Sequence, residues 1–313
     1  MRPAVRRWAG WLIRLCVSAG LLLWLFSRFD LTGIMAAFQE LSPFVWLVAA
    51  LMYLGAQILS SIRWFILSHS LSFPGQWRTY LAFYFVGMYF NLFLPTSVGG
   101  DVLKVHFLSR DEGRRLMAAY SVVGDRLFGL VAMVLLGAGA VGLRPDILPG
   151  HFVTALWIGG IGIVCGLAGL PFFQGVLRGL RPTLAERLSG VLMLWQRPRK
   201  ILVVLGLSFC LQALGMGAVA LLGGGIGIEI PLVFYYASLP LINMATAIPI
   251  SLSGIGVREG AFVYFLGIRG IQPEQALCLG ILFFSVQVAT SLLGAIAYAL
   301  GYHRGHLAPH GRA

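Results

Sequence analysis

Acidic residues are scarce in this sequence: 11 Asp and Glu in 313 residues, with charged residues of both signs making up 11% of the chain. Soluble domains carry about 25%, and no stretch here is long and polar enough to stand as a separate soluble domain. The chain therefore reads as one domain over 1–313, although its length would allow two. A DxD sequence and a nucleotide-binding motif are both missing. A glycosyltransferase needs a metal or catalytic acid beside its donor, and a primary pump needs an ATP site, so both absences weigh against these classes. Cysteine is equally sparse. Cys16, Cys165, Cys210 and Cys278 all fall in apolar segments without CxxC spacing, which excludes a disulfide framework or zinc site and reads as packing.

What fills the chain is hydrocarbon. Hydrophobic residues make up 58% and the mean hydropathy is +0.86. Several apolar runs approach or exceed the ~20 residues that a helix needs to cross a bilayer. The formal net charge of +12 comes from Lys and Arg lying between those runs and at the ends. Cytoplasmic loops obeying the positive-inside rule account for it, and nucleic acid does not enter. His303, His306 and His310 lie in a polar tail that reads as solvated, not as a metal site. No metal or cofactor is expected.

Arg2, Arg6 and Arg7 precede a first apolar run from about Trp8 to Phe26. Arg14 interrupts it and no small-residue cleavage site follows, so it reads as an uncleaved span. Further spans are expected at about Phe44–Ile62, stopped by Arg63, and at Ser121–Val141, Phe152–Phe173, Ile201–Leu222 and Gln275–Leu300. The segment 176–200, rich in arginine, is expected to be a cytoplasmic amphipathic linker on the inner leaflet. Both termini belong inside on the same charge argument, in an inner (plasma) membrane, and the loop Gly223–Ile230, free of basic residues, belongs outside. Keeping Lys104–Arg115 inside then requires Thr79–Ser109 to enter and return from the cytoplasm. Pro231–Arg269 must likewise be a hairpin entered from outside. The expected fold is an all-α polytopic membrane protein with about six full spans and two re-entrant helical hairpins.

Both hairpins break at similar sequences, "NLFLPTSVGGDVLK" from Asn91 and "PISLSGIGVRE" from Pro249. Pro95 and Pro249 are each followed by Ser two residues on (Ser97, Ser251), Gly five on (Gly100, Gly254) and a cation nine on (Lys104, Arg258), at an offset of 154 residues. Opposed membrane faces and matched breaks suggest an inverted repeat, repeat 1 over about 44–173 and repeat 2 over about 201–300. Irregular backbone at membrane depth persists only where it is buried or lines a wet cavity. Proline ends the helices there, glycine permits the turns, and freed N–H groups with Lys104 and Arg258 can receive an anion. Asp101 is placed to neutralise Lys104 or Arg126 when no lipid is bound. Glu259 is placed to reach a basic partner in the other repeat, such as Arg126. Asp125–Arg126 reads either as part of this pathway or as an interfacial anchor. The run Tyr80–Phe90 reads as an acyl-chain contact or an interface belt, and Gly137, Gly139, Gly142, Gly162 and Gly166 as span packing.

The pattern N…P…GGD…K, GDR…GL and P.S.SG.GVREG resembles the flippase-like membrane domain of lysylphosphatidylglycerol synthases, which includes stand-alone members of uncharacterised protein family 0104. The resemblance spans roughly residues 10 to 300. Asn91, Pro95, Gly99, Gly100, Asp101, Arg126, Gly254, Gly256, Arg258 and Glu259 match its motif positions. Lys104 stands where the family often has arginine, which keeps the charge and loses the bidentate fork. Asp125 stands where glutamate is common. The resemblance implies a fold that moves or handles membrane lipids. The soluble aminoacyl-transferase domain of the full-length synthases is missing from this sequence, so it is not expected to make lysyl-lipid itself.

The reading that follows is a lipid translocase, not an enzyme, binding an anionic phosphate-bearing or isoprenoid-type lipid headgroup at Asn91, Ser97, Gly99, Gly100, Asp101, Lys104, Arg126, Ser251, Gly254, Gly256, Arg258 and Glu259. The alternatives are a membrane enzyme acting on a polyprenyl-phosphate lipid, such as a glycosyltransferase, or a scaffold subunit. A homo-oligomer is compatible with all three. The topology is testable on intact cells. With Gly190→Cys in an otherwise Cys-free chain, an impermeant maleimide should react only after permeabilisation, and reaction without it overturns the orientation.

Overall fold

The computed structural model describes residues 19–20, 31–93, 99–109, 114–180, 198–248, 251 and 254–301. The first span Trp8–Phe26, Pro95, Ser97, Pro249, most of the linker 176–200 and the C-terminal tail lie outside the described residues, apart from residues 19–20 of that span. Among the described residues there is helix and turn and no strand. In chain order the helices are α1 (Leu31–Glu40), α2 (Pro43–Ser70), α3 (Trp77–Phe93), α4 (Gly99–Leu108), α5 (Arg115–Leu143), α6 (Gly150–Leu180), α7 (Pro198–Gly225), α8 (Leu232–Ala247), α9 (Val257–Gly267) and α10 (Pro273–Ala299).

Five segments are long and apolar enough to cross a membrane: Pro43–Ser70, Arg115–Leu143, Gly150–Leu167, Arg199–Gly225 and Pro273–Ala299. The chain is a multi-pass membrane protein. The 28 residues of α2 make about 42 Å of helix at 1.5 Å per residue, more than a hydrocarbon core of about 30 Å requires. The helices flanking the two sequence breaks are different. α3 has 17 residues and α4 has 10, while α8 has 16 and α9 has 11. At about 15–25 Å, each is shorter than a hydrocarbon core of about 30 Å.

Helix starts follow local chemistry. Pro43 and Pro273 open α2 and α10 in the first turn, where a missing N–H costs nothing. Glu259 sits three residues into α9 and accepts the Gly256 N–H at 2.7 Å, which closes the helix start. Two apolar clusters hold the bundle. The larger joins Leu222, Phe234, Ile242, Phe262, Leu266 and Leu279 across α7–α10. The smaller surrounds Trp64, Tyr80 and Phe83. The aromatic run of α3 is therefore neither belt nor acyl contact at Tyr80 and Phe83, which are wholly buried.

Packing between helices is paired. α2 lies along α7, and contacts between α2 and α3, α3 and α4, and α4 and α5 have counterparts between α7 and α8, α8 and α9, and α9 and α10. The two sets also cross: α3 packs on α10 while α8 packs on α5, and α2 meets both α5 and α10, as α7 does. A glycine admits each crossing. A Cβ at Gly294 would strike the Phe85 carbonyl of α3, and one at Gly137 would lie 2.9 Å from Pro240 Cγ of α8.

Several expectations change here. Arg63 does not stop its span; α2 continues to Ser70 and Arg63 is buried within it. α6 runs beyond Phe173 to Leu180, so the linker begins as a continuation of that helix. Among the described residues nothing packs against Gly139, Gly162 or Gly166, and Cys165 and Cys210 are exposed. Helix α1, with Ile34 and Ala37 buried against α10, was not anticipated.

The glycines at the breaks do different work. Gly254 and Gly256 have φ of 78° and 85°, a backbone region that a Cβ penalises. Gly100 is helical, and a Cβ on it would collide with the Gly87 carbonyl of α3. Gly254→Ala should lower stability by about 1–2 kcal/mol and Gly100→Val by about 1–3 kcal/mol. Gly260→Ala, with open space around it, should be neutral or stabilising. Thermal unfolding in detergent checks all three, and equal effects would refute the distinction.

Candidate functional site

Charged side chains meet inside the bundle at three carboxylates. Asp101, in the first turn of α4, receives both Arg126 Nε at 2.8 Å and Arg126 Nη2 at 3.2 Å, and lies 3.3 Å from Lys104 Nζ. Asp125, on α5, receives Arg63 Nε at 2.7 Å. Glu259, on α9, receives Arg258 Nε and Nη2 at 3.1 and 2.9 Å. Asp125 and Arg126 are neighbours on α5, yet successive side chains on a helix diverge by about 100°. They bind different helices: Asp125 reaches back to α2, and Arg126 reaches out to α4.

Each cation is further constrained. Arg63 donates to Ser208 Oγ of α7 at 3.0 Å and Ser60 Oγ at 3.3 Å, so one side chain ties α2, α5 and α7 together. Lys104 Nζ is buried over the Tyr84 ring, 3.8 Å from its centroid, where a desolvated cation is attracted to the ring face. Arg258 stacks over Phe284 at 4.6 Å and donates to Gln287 Oε1 at 3.0 Å. Arg126 differs from the other three: its side chain is 55% exposed.

Two adjoining cavities lie between these groups. The larger, about 370 Å³, is lined among others by Arg63, Asp125, Gln212, Asn243 and Gln287. The smaller, about 250 Å³, is lined among others by Asn91, Met88, Lys104 and Ser291. Tyr53, Gln57, Tyr84, Arg126 and Gln287 line both, so the two form one polar space within the bundle.

The sequence-derived residues divide accordingly. Asn91, Lys104 and Arg126 line the polar space, and Asp101 is bonded at its edge. Arg258 does not line it and approaches it through Gln287 and Phe284. Glu259 pairs with Arg258, and Arg126 with Asp101, so the expected link between Glu259 and Arg126 is replaced by a pair within each half. Two of the freed backbone donors are already held: the Gly100 N–H by Asn91 Oδ1 at 2.6 Å and the Gly256 N–H by Glu259. The shared spacing after proline does not give Lys104 and Arg258 the same helical position, since Lys104 lies in the second turn of α4 and Arg258 in the first turn of α9. Gly99 opens α4, Gly254 shapes the turn before α9, and Ser251 is buried with its Oγ unpartnered among the described residues. Arg63, Gln57, Gln212 and Gln287 were missed. Their signal was a polar group inside an otherwise apolar helix, which in a span usually faces protein or a wet cavity.

The lysylphosphatidylglycerol synthase TM region matches residues 11–294. The chain belongs to this family. It is also 24% identical over 221 residues to the UPF0104 membrane protein MJ1078 of Methanocaldococcus jannaschii, covering 67% of this chain and 93% of that protein. No solved structure matches it. The family match covers both breaks and every charged group described above, which places the polar space within the part of the chain that the family shares.

The Arg63–Asp125 pair is testable as a structural joint. Asp125→Ala leaves a buried guanidinium uncompensated and should destabilise by about 3–5 kcal/mol, whereas Arg63→Met/Asp125→Leu should recover much of that loss. Unfolding in detergent measures both. A double variant no better than Asp125→Ala would mean that the pair does more than neutralise itself.

Proposed function

We propose that the protein is a lipid translocase whose polar space receives the headgroup of an anionic, phosphate-bearing membrane lipid. The observation that carries this reading is Asp101. One carboxylate serves two cations, Lys104 and Arg126, beside a cavity within a bundle of membrane-spanning helices. A phosphate offers the same geometry as Asp101 to a guanidinium fork, so lipid and Asp101 compete for Arg126. Binding then costs little electrostatic reorganisation, because Arg126 exchanges one anionic partner for another while Asp101 keeps Lys104. The family name connects the fold with membrane lipid, which agrees with this ligand class.

On this reading α3–α4 and α8–α9 are re-entrant hairpins from opposite faces, and the paired packing of α2–α5 and α7–α10 supports an inverted repeat. Transporters built that way place their site at the repeat interface and use broken helices there. The polar space meets that description, since α2, α3, α5, α7, α8 and α10 all contribute to it. Transport, rather than catalysis, is the activity proposed. The membrane is the plasma (inner) membrane, with both termini on the cytoplasmic side.

Proteoliposomes carrying fluorescent phosphatidylglycerol test it. A charge-assisted hydrogen bond contributes roughly 1.5–3 kcal/mol, so Lys104→Gln and Arg126→Gln should each weaken lipid binding about ten- to a hundredfold. Lys104→Arg should keep activity. A Lys104→Gln/Arg126→Gln protein that is folded and moves the lipid at the parental rate would overturn the reading. So would a strict requirement for a sugar donor.

A further inference from the structure

Arg126 borders a third space that the polar cavity does not include. On the outer side of α4 and α5 runs an apolar groove of about 660 Å³, lined by Val102, Val105, Val122, Val123, Leu127 and Leu130, with Ala247 at the end of α8. Among the described residues, Asp101 and Arg126 are the charged groups that line it. Val102, Val123 and Leu127 are more than half exposed, on a face that α4 and α5 leave uncovered among the described residues. Arg126 therefore lines the polar space on one side and the apolar groove on the other. The ion pair Arg126–Asp101 is the boundary between them.

Charge balance at this boundary is uneven. Among the described residues, the charged groups that line the polar space, are bonded to a residue lining it or are paired with such a group are Arg63, Lys104, Arg126 and Arg258 against Asp101, Asp125 and Glu259. Arg63 and Arg258 each have a carboxylate of their own. Lys104 and Arg126 share one. The excess is a single positive charge, located where groove and polar space meet. A low-dielectric surround makes such an excess costly unless an anion balances it.

We propose that the α4–α5 groove holds one hydrocarbon chain of a membrane lipid carrying a single negative charge, with its phosphodiester held at Arg126. The proposal rests on the lipid-handling reading and specifies the ligand and its route. Chain and headgroup need different surroundings, and Arg126 is the residue at which the two surroundings touch. Displacing Asp101 from Arg126 is the step that admits the headgroup, because the carboxylate now fills both donors of the fork. A zwitterionic lipid brings no net charge and leaves the excess uncompensated, so it is the weaker ligand.

The intact protein in phosphatidylcholine vesicles supplies the test. Phosphatidylglycerol or phosphatidylcholine bearing a diazirine in the middle of one acyl chain is photolysed, and adducts are mapped by mass spectrometry. Adducts of the phosphatidylglycerol probe should gather on Val102, Val123 and Leu127, about tenfold above those of the phosphatidylcholine probe. Arg126→Gln should bring the two probes level. Val123→Trp, at an exposed position where the larger ring has room, should remove groove adducts without altering unfolding, and it keeps the test open if Arg126→Gln folds poorly. Equal labelling by both probes would make the groove ordinary annular contact and overturn the proposal. Disulfide capture between two chains carrying Leu127→Cys would assign the face to a second copy and also overturn it. Groove labelling without lipid movement would sustain the groove and sink transport. Lipid movement without groove enrichment would do the reverse.

Discussion

The interaction on which the site depends is the neutralisation of arginine and lysine by carboxylate inside a membrane-embedded bundle. A cation without a partner at such depth costs several kcal/mol, and the acids available are few. They are spent on Arg63, Arg258 and the Lys104–Arg126 couple. Two of these pairings fix helices. The third is shared and half exposed, so it is the one at which an outside anion can take part. Rigidity and ligand exchange thus come from the same chemistry at different stoichiometry.

The broken helices have a backbone logic that complements this. Buried N–H groups released by a break must find acceptors, and the protein supplies them from Asn91 and Glu259. Those acceptors stabilise the turns and occupy the N–H groups of Gly100 and Gly256. On the proposed reading headgroup recognition falls to side chains, while the turn geometry stays with glycines, which cannot be replaced cheaply at Gly254 and Gly256. Gly100 belongs with Gly87 instead, as a close approach of α4 to α3.

Much of the architecture was legible in the sequence because hydropathy and helix breakers are local signals. Five of the six expected spans, the two interruptions and the residues Lys104, Asp101 and Arg126 could be found without knowing what lies across the bundle. Arg63 could not. In linear order a cation after an apolar run reads as the end of a span, and its partner Asp125 lies 62 residues away. The same limit misassigned Glu259, whose charge suggested a distant partner when its own neighbour Arg258 was in reach. It also gave Lys104 and Arg258 equivalent places, because counting from proline ignores where each following helix begins. Gln57 and Gln287 remained invisible for a related reason: an amide in an apolar run identifies itself only by the cavity it faces.

The adjacency of Asp125 and Arg126 has a mechanical consequence. Asp125 clamps its turn of α5 to α2, and through Arg63 to Ser208 of α7. Arg126 begins from that same immobilised turn. Separating it from Asp101 by moving its backbone would therefore drag three long helices at once. What can yield without moving backbone is the arginine's own side chain, which is 55% exposed. α5 is the fixed jaw of the contact, and the guanidinium is the part free to turn away from it.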